Sequence, residues 1–107
     1  MEHFVVLVTT SSVEEARSIA RSIVEERLAA CVNIVERIES IYVWKGRVEE
    51  GSEALMIIKT RGDALQRLIA RIKELHSYEV PEIIALRIEK GLESYLAWID
   101  RVIEGRE

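Results

Sequence analysis

Four side chains with ligand or acid–base chemistry, His76, Tyr78, Glu79 and Glu82, crowd around Pro81, the only proline of the chain, just before the apolar run Ile83–Leu86. Imidazole nitrogen and carboxylate oxygen are ligand atoms of divalent-metal sites, and three or four such groups must converge to hold copper or zinc. The single cysteine, Cys31, would add a soft thiolate but lies far away in sequence. Neither a Cys-x-x-Cys pair, a His-x-x-x-His pair nor a His-rich tail occurs. A cage within one chain is therefore not signalled. The arrangement these residues allow is a site shared across a subunit interface by Cys31, His76, Glu79 and Glu82.

Each of these residues also has a plainer role. Cys31 follows two alanines and suits a small buried position. His76 suits the C-terminal end of a helix, where a partly protonated imidazole meets the negative end of the dipole. Glu79 and Glu82 suit solvated charge at the start of a strand. Further cleft candidates are Tyr78, Tyr42, Trp44 and Lys59. Tyr42 and Trp44 share one face of a strand and read as interface packing, whereas Lys59 ends an apolar strand and calls for an ion pair with a glutamate. His3 reads as incidental.

Catalysis is not expected. Nucleophilic attack by Cys31 would need a base within hydrogen-bond reach and an oxyanion site, and His76 of another subunit is the one available base. The glycines Gly46, Gly51, Gly62, Gly91 and Gly105 are scattered, so no phosphate-cradling loop forms.

Composition narrows the classes further. With 107 residues, 49% apolar and 32% charged, the chain is read as one globular domain spanning residues 1–107. A net charge of -4 without a long basic cluster argues against nucleic acid and anionic membrane as partners. The longest apolar run, Phe4–Val8, is too short to cross a bilayer. Met1-Glu2-His3 leads straight into that run without a basic leader, and one unpaired cysteine suits a reducing compartment, so a cytoplasmic location is expected. Asn33 and Gln66 are the sole side-chain amides on a surface rich in Glu and Arg, a pattern expected of heat-stable proteins.

The elements that must carry these residues follow from periodicity. Residues 3–10 form an unbroken β-branched and apolar run, as in a strand covered on both faces. Ser12 and Glu15 make a capping box, and Val13, Ala16, Ile19, Ala20, Ile23, Val24 and Leu28 then recur at helical spacing. A long strand is expected from Ala30 to Trp44. Val32 and Ile34 sit on one parity and Ile41 and Val43 on the other, and that slip predicts a bulge near Val35–Ile38. Lys45-Gly46 turns the chain into a returning strand, Arg47–Thr60, with a kink expected at Glu49–Ser52. A second helix carries Leu65, Leu68, Ile69, Ile72 and Leu75 and ends near His76 because of Pro81. A strand from Pro81 to Lys90 and a third helix bearing Leu92, Tyr95, Leu96, Ile99, Val102 and Ile103 complete the chain.

The order β-α-β-β-α-β-α predicts an α+β, ferredoxin-like split βαβ sandwich with antiparallel sheet order 4-1-3-2 and a long hairpin between the second and third strands. A weak repeat at an offset of 50 residues, Ile19-Ala20-Arg21 against Ile69-Ala70-Arg71, supports two βαβ halves. Cys31 opens the second strand and His76 precedes the fourth. Both are accordingly expected at one end of the sheet, on opposite edges, about three spacings of ~4.8 Å apart. Long hairpin edges and a sheet face without its own helices predict pairing between subunits, hence a homo-oligomer.

Several stretches resemble the CutA family of divalent-cation tolerance proteins: Leu-Val-Thr-Thr at 7–10, Leu-Ala-Ala-Cys-Val-Asn-Ile at 28–34, Ser-Ile-Tyr-Val-Trp-Lys-Gly at 40–46, Lys-Thr at 59–60, His-Ser-Tyr-Glu-Val-Pro-Glu-Ile-Ile at 76–84 and Tyr-Leu-Ala-Trp-Ile at 95–99. They span nearly the whole chain in family order. The resemblance implies the ferredoxin-like fold, a homotrimer, and an association with copper and other divalent cations. It also implies architectural likeness to the trimeric nitrogen-regulatory signalling proteins, and in animals an association with anchoring of a membrane enzyme. The expected function is a trimeric, divalent-metal (copper) responsive binding or signalling protein. The alternatives are a trimeric sensor of a small anionic metabolite, by analogy of fold, and a structural trimer that scaffolds a partner.

Overall fold

A computed structural model describes residues 1–107. The elements are β1 (His3–Thr10), α1 (Val13–Glu25), β2 (Cys31–Trp44), β3 (Arg47–Arg61), α2 (Gly62–Leu75), β4 (Ile83–Arg87) and α3 (Glu93–Ile103). They build one four-stranded sheet in the order β2-β3-β1-β4, the predicted 4-1-3-2 read from the other edge. Every neighbouring pair of strands is antiparallel. No helix is long and apolar enough to cross a membrane.

The unbroken run of β1 lies between β3 and β4, and its alternate residues face two different packings. Val6 and Val8 join Ala54, Met56 and Ile58 of β3 beneath Ala16, Ile19, Ala20 and Ile23 of α1 and Leu68 and Ile72 of α2. At ~25 cal/mol per Å2 of apolar area, this fully buried layer is the main stabilising term of the fold. The opposite face is covered only at one end, where Ile99 and Val102 of α3 pack with Ala30. Toward its other end that face leaves Val35, Ile84 and Leu86 exposed.

The start of α1 differs from the expected reciprocal box. Ser12 Oγ accepts from the N–H of Glu15 at 3.1 Å. The Glu15 carboxylate does not reach back to Ser12; it accepts from Ser11 N–H and from Ser77 N–H, at 3.2 and 2.8 Å. A tertiary partner, the backbone after α2, has outcompeted the local one. Ser12→Ala should therefore lose the single N-cap bond and cost about 1 kcal/mol, read as a lowered urea midpoint with an unchanged slope.

The hairpin gives the molecule its length, 45 × 26 × 22 Å. At its tip Lys45 (φ 51°) and Gly46 (φ 78°) both take positive φ, as a two-residue type I′ turn requires. Register slips between Val35/Leu55 and Ile38/Glu53, so that Glu36 and Arg37 stand against Ala54 alone. This is the bulge the sequence predicts, and it changes which residues face where. Below it Val32 and Ile34 share the helix side with Ile58 and Met56. Above it Tyr42 and Trp44 fall in register with Glu49 and Arg47, on the parity of Glu53 and the open face. β3 runs unbroken through Glu49–Ser52, so the expected kink there is absent. β4 is also shorter than expected, since only five residues extend beside β1.

Candidate functional site

The segment after α2 is pinned from several directions. α2 ends with His76 as its C-cap, whose backbone is extended (φ -81°, ψ 141°). The imidazole is buried and used on both nitrogens: Nε2–H donates to the Thr9 carbonyl at 2.7 Å, and Nδ1 accepts from the N–H of Tyr78 at 3.1 Å. That pair of bonds assigns the neutral Nε2–H tautomer. Glu15 Oε2 lies 3.8 Å from Nδ1, and Lys73 Nζ donates to the Glu79 carbonyl at 2.9 Å. Burial raises the Glu15 carboxyl, but the bonds from Ser77 and Ser11 outweigh it and hold the pKa below the ordinary value.

Pinned in this way, the segment faces the upper hairpin across a cleft. Tyr78 hydroxyl donates to Glu53 of β3 at 2.8 Å, and burial, then the Glu53 carboxylate, raises its pKa far above that of a free phenol. The cleft has a volume of about 590 Å3 and is lined by Glu39, Tyr42 and Trp44 of β2, Glu53 of β3, and Tyr78, Glu79 and Glu82 of the segment, with Thr9 at its floor. No Lys or Arg lines it. Of the candidates read from sequence, the structure thus gathers Tyr42, Trp44, Tyr78, Glu79 and Glu82. It adds Glu39 and Glu53. Their signal was the bulge, which sets Ile38 against Glu53 and Glu39 against Ser52.

Three other candidates stand apart. Cys31 is not at the same end as His76. It pairs with Lys59, which pairs with Val5, whereas His76 bonds the Thr9 carbonyl at the far end of β1. Val5 to Thr9 alone is ~14 Å at ~3.4 Å per residue. The expectation failed because β2 runs parallel to β1 and β4 antiparallel to it, which puts the starts of β2 and β4 at opposite ends. Lys59 is likewise outside the cleft. Its ammonium donates to Asn33 Oδ1 instead of pairing with a glutamate, and Cys31 Sγ reaches the same oxygen at 3.8 Å. Burial, followed by the nearby Cys31, raises the pKa of Tyr95 of α3. His76, for its part, would have to give up one of its two hydrogen bonds to bind an ion.

His3 is not incidental. Its Nε2 meets Asp100 at 2.8 Å, at the edge of a cluster around Arg61. The Arg61 guanidinium makes two 2.8 Å bonds to Asp63 and others to Glu104 and Asp100, at 2.5 and 3.3 Å. These bonds, to Asp63 foremost and then Glu104, raise its already high pKa. The cluster fastens α3 to the end of β3. Two signals were present in the sequence: Asp100 and Glu104 four residues apart on one helix, and an arginine two residues before an aspartate at a strand end.

Nowhere in the chain do three or more His, Cys, Asp or Glu side chains come together closely enough to hold a metal ion. A cation bound in the cleft would therefore need ligands from a second copy.

Comparison with known proteins gives a consistent answer. Residues 4–102 match the family model described as "CutA1 divalent ion tolerance protein". The divalent-cation tolerance protein CutA of Thermus thermophilus is 54% identical over 95 residues, which cover 89% of this chain and 92% of that protein. Protein CutA of Mus musculus is 48% identical over 97 residues, 91% of this chain but 55% of the longer mouse protein. Among solved structures, the periplasmic divalent cation tolerance protein CutA of Archaeoglobus fulgidus superposes with a TM-score of 0.92 at 42% identity, covering 94% of this chain and 98% of that one. With the sheet order, the bulged hairpin and the match running from Phe4 to Val102, this chain belongs to the CutA1 family of divalent ion tolerance proteins.

Proposed function

We propose that the protein is a homotrimeric, divalent-cation-responsive binding protein of the cytoplasm, not a catalyst, that takes its ion at the cleft between the upper hairpin and the Ser77–Glu82 segment. The observation that carries this reading is the acidic lining, with Glu53, Glu79 and Glu82 and no Lys or Arg among the cleft residues. Such a lining attracts cations and repels anions, so the anionic-metabolite alternative is not favoured.

Glu79 and Glu82 are the ligands this chain offers, and a neighbouring copy supplies the rest, with its Cys31 as one donor. Support for assembly comes from apolar side chains left in water: Ile41, Val43, Trp44 and Val48 on the hairpin, and Ile84 and Leu86 on the edge strand β4. An exposed edge strand with apolar flanks is a pairing surface that a stable protein covers. Copper is the ion to test first, since Cu(II) binds a given oxygen and nitrogen donor set more tightly than the other first-row divalent ions.

Calorimetric titration of Cu(II) into oligomer of verified mass checks the reading. Saturable binding is expected, weakened ~10-fold or more by Glu79→Gln/Glu82→Gln, which corresponds to ~1.4 kcal/mol. Cys31→Ser should weaken it as well. Equal, weak isotherms for all three proteins would mean adventitious surface coordination and would sink the proposal.

A further inference from the structure

Among the lysines and arginines that are partly or fully buried, Arg61, Arg71 and Arg101 have carboxylate partners and Lys59 alone has none. Its ammonium donates to the amide oxygen of Asn33, which accepts the bond but carries no charge. The register sets Lys59 between Cys31 and Val5, on the sheet face that leaves Ile84 and Leu86 exposed. A second copy covering that face shields the ammonium from water. A charge shielded without a counter-charge is strongly destabilising.

The cleft has the opposite deficit. Glu53, Glu79 and Glu82 line it, and no Lys or Arg does. Glu53 accepts from the uncharged Tyr78 hydroxyl, and Lys73 reaches the backbone carbonyl of Glu79, not its carboxylate. The missing cation cannot be the chain's own Lys59. Glu53 and Lys59 stand on one face of β3 but ~20 Å apart at ~3.4 Å per residue, well beyond the reach of a lysine side chain. A head-to-tail interface, in which one patch of a subunit meets a different patch of the next, closes into a ring. In such a ring every copy presents one lysine and receives one.

We propose that Lys59 of each copy enters the cleft of its neighbour and pairs there with the carboxylates of Glu79 and Glu82. The pairing rests on the assembly and on the role of Cys31 proposed above. Cys31 is the cross-strand partner of Lys59, with Cα atoms ~5 Å apart, so a copy that brings one to a neighbour's cleft brings the other. The glutamate that Lys59 lacks in its own chain comes from the next. The metal-free cleft is thus filled by an ammonium of the protein itself, and a divalent ion binds by displacing it.

Subunit exchange between isotope-labelled and unlabelled oligomer, followed by native mass spectrometry with chelator present, tests the pairing. Removing one partner of a buried charge pair acts mainly on dissociation. Lys59→Met should therefore exchange ~10-fold faster or more, and Glu79→Gln/Glu82→Gln likewise. All three substitutions together should exchange no faster than Lys59→Met alone, because the second set removes carboxylates that the first has already stranded. Lys90→Met and Glu25→Gln/Glu89→Gln remove the same charges at other exposed positions and should exchange as wild type does. Glu79→Lys/Glu82→Lys, which leaves Lys59 in place, should exchange faster than the glutamine pair through repulsion of the incoming ammonium. Unchanged exchange in Lys59→Met, or losses that add across the two sets, overturns the proposal. A monomeric wild type overturns it together with the assembly it rests on. With chelator present throughout, the result does not depend on Cu(II), so failure of the pairing and failure of the metal reading are seen separately.

Discussion

Replacing Arg61 with methionine should destabilise the protein by about 3 kcal/mol, at the lower end of the ~3–5 kcal/mol seen when one partner of a buried ion pair is removed. The lower end applies because the arginine is 7% exposed while its carboxylate partners are 31–44% exposed and recover water when it leaves. Methionine fills much of the space but takes the guanidinium from Asp63, Asp100 and Glu104, leaving Glu104 with Arg106 and Asp100 with His3. α3 has only Ile99 and Val102 fully seated beside Ala30, so it is the element that loosens. Hydrogen exchange should show its amides losing protection first.

The same cluster sets an acid dependence. Arg61 holds the carboxyls of Asp63 and Glu104 below their ordinary values of 3.8 and 4.5, with Arg106 assisting at Glu104. A depressed folded-state pKa contributes stability that is complete above the unfolded value and lost as pH falls through the folded one. The gap between wild type and Arg61→Met should therefore be widest near neutrality and shrink below about pH 4, measured by urea unfolding at both ends. A gap that does not change with pH would mean Arg61 contributes by packing alone.

His76→Ala should cost about as much, by a different route: ~1–3 kcal/mol for buried groups left unpaired, plus a cavity term. The imidazole side chain is fully buried, and its removal strands the Thr9 carbonyl and the Tyr78 N–H. The loss should already be present without metal and grow when metal is added. Tyr78, Glu79 and Glu82 lose their anchor, so Cu(II) affinity falls even though no ligand has been deleted. Destabilisation that appears only when metal is added would instead identify His76 as a ligand.

Local pattern was enough for much of this fold. The apolar run of His3–Thr10, the stripe of α1, and the change of parity between Ile34 and Ile41 each translate into an observed element, the last into the bulge at Glu36–Arg37. What did not translate was whatever depended on distant partners. Glu15 looks like half of a capping box until the backbone at Ser77 arrives beside it. Lys59 calls for a counter-charge in the sequence, yet the group its ammonium reaches is the amide of Asn33. The cleft was half legible. Tyr78, Glu79 and Glu82 declare themselves by their crowding around Pro81. Glu39 and Glu53 become visible only once the bulge fixes the hairpin register. The relation of Cys31 to His76 was misjudged because strand direction, not strand adjacency, decides which ends meet.

The central position of β1 has a consequence for synthesis. It leaves the ribosome well before its partners, residues 54–61 and 83–87. At ~5–20 residues per second, the run Phe4–Val8 waits roughly 2–10 s for β3 and longer for β4. Throughout that interval the most apolar strand of the protein has two unpaired edges, while the hairpin, whose strands are adjacent in sequence, pairs as soon as it emerges. Nascent chains thus carry an aggregation hazard in Phe4–Val8, and a chaperone that holds β1 meets the need where it arises.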